Sequence, residues 1–509
     1  MRPMMSRRRL LSGTAGVAGF ITLAACGEAQ VEEKTVPTAA PAETAVAVEK
    51  VVTAETPAAA RVETAAPAEK VVAVEPAPPR AEHVEIRFAT DHVSGPRGRA
   101  TQWGLEKFAQ KSPNTFVKVE PIGGDYWDAL SIQAAAGSLA ELVLWDGWLF
   151  NQWRGEGITI PINDTVDKMP GWDPDEYYWM PNIYTENGEA ADHQWPPPTR
   201  LEGPQHGFSY QGWTAGFLYN ITMVERLGLG APTEDWTWND LLENSMKARD
   251  PEADLYGIDA IDREKMWMPL CFSAGATLLR GEGDVDFTMF DDGGDEGFQF
   301  TWDLIHTHDV APPPEVRKQL SGEFGTVFEA GKQAYWMSGR VYTVGFGVPR
   351  IQDRFEWSLG PVPKNPRTNY HGNIWGEQYH AVTNGAHARG TLEPTAELGH
   401  FMGTDVQRRV AEVDRGHLPM WKPAFDTANA TAPPPQGMEW LQKYVDRPDM
   451  RHYQARLPFW VEWWIIWGPP LDKAMLGETG AEEGMREAKR LAELNQAEQI
   501  QEMRNRGWI

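Results

Sequence analysis

Tryptophan is the residue type this chain overspends. There are 23 of them in 509 residues, against 13 tyrosines and 19 phenylalanines. Several stand beside glycines, carboxylates and amides in stretches that read as loops. Trp145-Asp146-Gly147-Trp148 is one such stretch, and Trp213 closes Ser209-Tyr210-Gln211-Gly212. Trp375-Gly376-Glu377 follows His371-Gly372-Asn373, and Trp460, Trp463, Trp464 and Trp467 cluster late in the chain. An indole is a rigid apolar plane. It matches the C–H face of a sugar ring, while neighbouring carboxylates and amides can hydrogen-bond the ring hydroxyls. The competing use of any one tryptophan is core packing, since aromatics dominate buried area. The same set of rings and acids could also grip a cation through cation–π contact, as in a peptide or polyamine receptor.

Other chemistries are less supported by the residue pattern. A glycosidase needs two acids about 5–10 Å apart, and no segment singles out such a pair. The chain has no G-x-S-x-G, no phosphate-cradling glycine loop and no H-E-x-x-H. His306-Thr307-His308-Asp309 ends an expected helix, where an i, i+2 pair does not share a face, so these histidines read as solvated and no metal is expected. Cys271 lies in Trp267-Met268-Pro269-Leu270-Cys271-Phe272, an apolar setting for an inert core thiol. No catalytic residue and no cofactor are expected.

The elements that must position these residues alternate between strand and helix. Val84–Ala89 alternates apolar and polar as a strand does, a helix carries Trp103 and Phe108, and Phe116–Val119 is a second strand. Trp127–Ala136 reads as helix and Leu142–Leu144 as strand. Gly216–Tyr219 is a later strand, and Trp238–Arg249, Phe298–His308, Glu393–Val413 and Glu482–Arg504 are later helices. The pattern predicts an α/β fold, and its length calls for two lobes. Open α/β sheets bind ligands beyond the carboxyl ends of their strands, which is where Trp145–Trp148 falls.

The N-terminus carries an address. Ser6-Arg7-Arg8-Arg9-Leu10-Leu11 precedes a short apolar run ending in Leu23-Ala24-Ala25-Cys26. Paired arginines and a small-residue cleavage site predict twin-arginine export of a signal peptide over residues 1–26. Cys26 resembles the acylated cysteine of a bacterial lipoprotein, which would anchor the chain to the membrane. Only two cysteines exist, so Cys271 would then have no partner and no internal disulfide could form. Residues 27–83 are Ala/Pro/Val/Glu-rich without aromatics and read as a disordered tether, roughly 40–45 Å end to end as a flexible coil. The net charge is −25, and loss of the four leader arginines takes it near −29. That balance disfavours nucleic acid and anionic lipid as partners.

From about Val84 onward the chain resembles the extracellular solute-binding proteins of bacterial ABC importers, in the sugar-binding group that includes maltose-binding protein. Gly137–Asp146 is similar to the family's "G-x-x-P-D-hydrophobic" strand, with Ala140-Glu141 in place of Pro-Asp. Phe217-Leu218-Tyr219-Asn220 followed by Asp235-Trp236-Thr237-Trp238-Asn239-Asp240-Leu241 resembles "L-Y-Y-N-K … P-x-T-W-D-E-L". Phe328-Glu329-Ala330-Gly331-Lys332-Gln333-Ala334 with Ser338-Gly339 resembles "F-x-x-G-x-x-A-M-x-x-x-G". Leu457–Trp460 and Ala481–Met485 resemble the closing segments.

The resemblance implies a periplasmic-binding-protein-like fold. Lobe one would hold 84–209 and 363–417, lobe two 210–362 and 418–509, with crossovers near Phe208–Trp213, Gly360–Pro363 and Gly416–Pro419. The ligand, a carbohydrate, would lie between the lobes and draw them shut, and the loaded monomer would meet the membrane subunits of an ABC permease. Carried over by position, the ligand contacts would be Thr90, Asp91, His92, Trp145, Asp146, Tyr210, Trp213, Trp267, Ser338, Arg340, Trp375, Glu377 and Trp460. Asp91 and Asp146 could instead cap helix starts. On this basis Trp145→Ala or Trp460→Ala is expected to remove most binding and leave the fold intact.

Overall fold

Ile86 and Phe88 alternate with Arg87 in the first strand, and the two apolar side chains are fully buried while the polar one is half-buried. This strand is the axis of the first sheet. The computed structural model describes residues 83–122, 126–146, 150–177, 204–260, 263–280, 286–322, 326–338, 350–351, 353–414, 418–424, 431–446, 450–451 and 460–506. The expected leader, Cys26 and the tether up to residue 82 lie outside the described residues, as does Arg340.

In chain order the strands among the described residues are β1 (Val84–Thr90), β2 (Thr115–Pro121), β3 (Leu142–Asp146), β4 (Gly207–Thr214), β5 (Gly216–Asn220), β6 (Tyr256–Asp259), β7 (Leu279–Arg280), β8 (Asp286–Phe287), β9 (Gln333–Ser338), β10 (Trp357–Gly360), β11 (His371–Gly372), β12 (Trp375–Val382), β13 (Leu418–Pro419) and β14 (Met450–Arg451). One sheet runs β13-β4-β12-β3-β1-β2 and a second runs β10-β5-β9-β6; β7-β8 and β11-β14 are small pairs. The fold is therefore mixed α/β with two sheets, as the alternation predicted.

Parallel pairing of β1 with β2 and β3 requires crossover connections, and the helices Gly95–Lys111 and Tyr126–Ala135 supply them. The first of these opens with Pro96 at a position where no backbone N–H is needed. Its Gly104 lets Val406 come close: a Cβ there would sit 2.4 Å from Val406 Cγ2. The helix expected over Glu393–Val413 is broken. Leu392–Gly403 ends at Thr404, a short helix Asp405–Arg409 follows, and a π-helical turn covers Val410–Asp414. The break sets Val406 against Gly104 and Gln407 under β4. Gln407 Nε2 donates to Ser209 O at 3.2 Å, and its Oε1 accepts from Met420 N at 2.6 Å.

Each sheet has its own apolar cluster, one around Phe88, Leu144, Phe208 and Tyr379, the other around Phe217, Ile258, Phe298 and Trp336. The chain passes from the first sheet to the second at Ala215, between β4 and β5. The boundary expected between 209 and 210 falls inside β4 instead. Ser209-Tyr210-Gln211-Gly212 is strand, not turn, because it pairs with β12 on one side and β13 on the other. The return runs from Gly360 to Trp375, with Val362 and Ile374 still in the second cluster, so the boundary at 362/363 is early. Among the described residues no helix is long and apolar enough to cross a membrane.

Candidate functional site

The register of the first sheet gathers most of the expected contacts at one edge. β12 runs antiparallel to both β3 and β4, so β12 begins where β1, β3 and β4 end. Asp146 pairs with Gln378, Gln378 with Gln211, and Gln211 with Pro419, a single row across four strands. Beyond it, Glu377 pairs with Gly212, Gly376 with Trp213 and Trp375 with Thr214. Thr90 ends β1 at the same edge. Segments that sequence reading took as separate loops are thus neighbouring strand ends.

Tyr210 sits where the β4–β12 register shifts: Gln378 faces Gln211 and Tyr379 faces Ser209, leaving Tyr210 as the extra residue of a bulge. Its ring lies 4.5 Å from that of His380 and 5.9 Å from that of His92. His92 is 2 % exposed. Its backbone N–H donates to Thr90 Oγ1 at 3.0 Å, and Arg97 Nη1 lies 2.9 Å from its Nε2. An arginine has only donors, so Nε2 accepts and the ring proton is assigned to Nδ1. Burial first, then the Arg97 guanidinium and His380, hold the His92 imidazole well below its ordinary pKa. Burial pushes His380 down to about 3. Gln211 Nε2 lies 3.5 Å from His92 Nε2 and donates to Gln378 Oε1. The edge therefore rests on a neutral polar floor of His92, Gln211 and Gln378. Asp91 is exposed beside it, its Oδ1 3.7 Å from His92 Nε2. The N-cap of the following helix is Ser94, so Asp91 does not occupy the capping position.

The tryptophan reading needs correction for the rings the structure describes. Of the 14 tryptophans whose burial is described, nine are buried and the other five are half-buried, none falling in the exposed class. Trp145 is 1 % exposed; its ring stacks on Trp153 at 3.4 Å and meets Trp127 edge-on at 5.4 Å. It packs the first core, and the half-buried Trp127, two residues into the helix Tyr126–Ala135, is the ring above it. Trp267 is 2 % exposed among Phe290, Phe298 and Trp467, a core residue of the second cluster with no face turned outward. Its helix, Arg263–Ser273, also buries Cys271, whose thiol burial pushes well above its ordinary pKa, in keeping with an inert core cysteine. Trp460 is the first residue of the helix Trp460–Met475, not a loop residue.

The second sheet presents the matching edge. Ser338 ends β9 and pairs with Gly216, two residues after Thr214. Asp259 ends β6, parallel to β9. Its buried carboxylate accepts from Arg317 Nε at 2.7 Å. Asn373 Nδ2 donates to Ala215 O at 3.0 Å and ties the two passages between sheets together. Trp127, Arg97, Gln211, Gln378, Asp259 and Arg317 were not singled out from sequence. Gln211 and Arg97 stood within five residues of residues that were; Asp259 and Arg317 gave no local signal. His306 is an exposed residue at 3.1 Å from Met475 O, and among the described residues no group of three or more His, Cys, Asp or Glu side chains is placed to hold a metal ion.

Comparisons with known proteins agree with this fold. The model of the bacterial extracellular solute-binding protein family matches residues 94–396. An ABC substrate-binding protein from Listeria monocytogenes in complex with cycloalternan superposes with a TM-score of 0.66 at 16 % identity, covering 82 % of this chain and 99 % of that one. The cyclic α-maltosyl-1,6-maltose binding protein from Arthrobacter globiformis gives 0.62 at 17 % identity, covering 81 % and 99 %. A solute-binding protein from Thermotoga lettingae bound with α-D-tagatose gives 0.62 at 16 % identity, covering 82 % and 100 %. These likenesses establish a two-lobed, periplasmic-binding-protein-like fold, and the match over more than half its length places the chain in the bacterial extracellular solute-binding protein family.

Proposed function

We propose that this protein is the solute-capturing component of an ABC importer, that its ligand is a carbohydrate of oligosaccharide size, and that it is held to the outer face of the cytoplasmic membrane through acylated Cys26. The observation that carries the reading is the strand register: Asp146, Gln378, Gln211, Glu377, Trp213 and Trp375 are brought onto four successive rows at the edge where the chain passes to the second sheet. A ligand at that edge touches both sheets, and only contact that differs between open and closed forms can shift their balance. Two of the structural neighbours named above are complexes with a sugar and the third is a binding protein for one, which supports the ligand class. The Arg97 guanidinium against His92 at the edge of the first sheet disfavours a polyamine. Binding followed by delivery to a permease calls for no bond making or breaking, and the protein is read as a binding protein rather than an enzyme.

Thermal-shift screening of neutral oligosaccharides, spermidine and short peptides tests this. At about 100 times Kd a ligand adds about 2.7 kcal/mol to the stability of the folded state. Stabilisation by an oligosaccharide, with a smaller radius of gyration in solution scattering, is the expected result. A response to spermidine or peptides alone, or an unchanged envelope with every sugar, overturns it.

A further inference from the structure

Arg317 lies in the short helix Pro314–Ser321, outside the segments that carry the expected ligand contacts. Its Nε donates to Asp259 Oδ2 at 2.7 Å, and the two side chains are 27 % and 1 % exposed. A guanidinium paired for structural reasons usually meets a carboxylate with two parallel bonds. Here a single bond is made through Nε. Nη1 and Nη2, with four N–H donors between them, have no hydrogen-bond partner among the described residues. The side chain is partly exposed, so its Nη donors are open to water and to a ligand that displaces it at this edge.

The place of the pair indicates what completes it. Asp259 is the last residue of β6, and β6 ends in the same direction as β9, whose Ser338 pairs with Gly216 at the passage between sheets. The pair therefore stands at the carboxyl edge of the second sheet, the counterpart of the edge built from β1, β3 and β4 in the first. The charge of Arg317 is compensated by a buried carboxylate. What remains is a planar fork of donors with no net charge.

We propose that Arg317, tethered by Asp259, is the second lobe's specificity-determining contact: its Nη groups donate to neighbouring hydroxyls of a neutral saccharide. This rests on the carbohydrate reading above and adds to it a residue and a charge preference. The compensated fork suits hydroxyls, which accept without bringing charge. Asp259 offsets the attraction that Arg317 alone would hold for a uronate, so a charged sugar gains little over a neutral one. Asp259 acts only through Arg317 and is a positioning residue.

The experiment is calorimetric titration of the full chain with maltotriose, isomaltotriose, panose and cellotriose, and with cellobiouronic acid as the charged probe. Arg317→Ala weakens binding of the neutral sugar by about tenfold or more. Arg317→Lys fails to restore it, because one ammonium cannot keep the tether and supply two fixed donors. Asp259→Asn leaves the fork positively charged and raises the uronate-to-neutral affinity ratio by about tenfold. Arg317→Ala alone strands a buried carboxylate and could unfold the lobe. The double variant Asp259→Asn/Arg317→Gln removes both charges at similar volume, and it must show the same loss with an unchanged circular dichroism spectrum. Binding within about twofold of wild type in the double variant overturns the contact. An unaltered uronate-to-neutral ratio in Asp259→Asn overturns the charge preference. Absence of binding by any of the sugars to the wild-type chain overturns the carbohydrate reading itself, a result distinct from either of these.

Discussion

Three buried histidines make the folded state sensitive to mild acid, and the effect can be sized from the structure. Burial pushes His380 down to about 3. His206 is pushed down to about 4 by burial and the nearby Arg154 guanidinium, against an opposing hydrogen bond to the Thr159 backbone. His92 is held well below its ordinary range by burial, Arg97 and His380. In the unfolded chain each titrates near the usual value of about 6.5. Above that pH neither state is protonated and the three contribute nothing to the pH dependence. Below it the unfolded chain binds protons that the folded chain refuses, so stability falls as pH drops, by about 1.4 kcal/mol per pH unit per histidine. At about pH 5 this is about 2 kcal/mol each for His380 and His206, about 4 kcal/mol together, with His92 adding in the same direction; that is a large share of the 5–15 kcal/mol typical of folded domains. Burial raises the Glu329 carboxyl, which opposes the loss, and lowers His400, which adds to it, so the histidine share is read as the difference between wild type and a single-histidine variant. Urea unfolding between about pH 7 and pH 5 measures the loss directly. His380→Phe provides the internal control. The ring lies between Phe88 at 5.4 Å and Tyr210 at 4.5 Å, and its Nδ1 is buried without a hydrogen-bond partner among the described residues. The substitution therefore keeps the packing and should remove the His380 share, about 2 kcal/mol between these pH values. A loss under about 2 kcal/mol between these pH values, or a slope that His380→Phe leaves untouched, refutes the assignment of these histidines as buried and neutral.

Two further perturbations separate packing from binding. Trp145→Ala, which the sequence alone cast as a binding variant with an intact fold, is now expected to cost about 3–5 kcal/mol of stability, since the ring is stacked on Trp153 in the first core; a urea midpoint unchanged from wild type would place the ring outside that core. Tyr444 lies in the helix Trp440–Asp446, and its hydroxyl accepts from Phe217 N at 3.1 Å and donates to Gly360 O, joining β5 and β10 close to the passage between sheets. Tyr444→Phe should cost about 1–3 kcal/mol and speed amide exchange at Phe217, and unaltered exchange there would show that the hydroxyl does not hold that strand.

What could be read in the sequence was local. β1 and β2 announce themselves by alternation. The helix Trp238–Ala248 is announced by its capping box, in which Thr237 N donates to Asp240 Oδ2 at 2.8 Å and Asp240 N to Thr237 Oγ1 at 3.4 Å. What could not be read was non-local. β4 looks like a turn because it contains Gly207, Gly212 and polar residues. Its glycine serves close approach instead: a Cβ on Gly207 would lie 2.3 Å from His380 O across the β4–β12 pair. β12 is separated from β4 by more than 150 residues, so nothing near Trp375 reveals that it is a strand. The tryptophans misled for the same reason. A ring beside Gly and Asp reads as a loop ring until pairing with a distant strand shows that Trp145 points into a core and Trp127 takes the place above it.

The shifted passages between sheets follow from one constraint. A β-strand is most stable when its backbone groups are matched along its whole length. β4 can match Gly212 and Gln211 with β13 and with β12 only by remaining in the first sheet as far as Thr214, so the change of direction is forced onto Ala215. Ala215 is fully buried and its carbonyl accepts from Asn373, itself buried two residues before β12 begins. The two passages therefore share a hydrogen bond. A rotation of one sheet against the other must turn about that pair or break it. Thr214, Gly216, Ser338 and Trp375 all lie within two residues of it in the strand register, so the edges that would hold a ligand adjoin the pivot. On the hinge-closing reading proposed above, a change in backbone angle at Ala215 would bring the outer reaches of the two edges together while the register row of Asp146, Gln378 and Gln211 keeps its pairing.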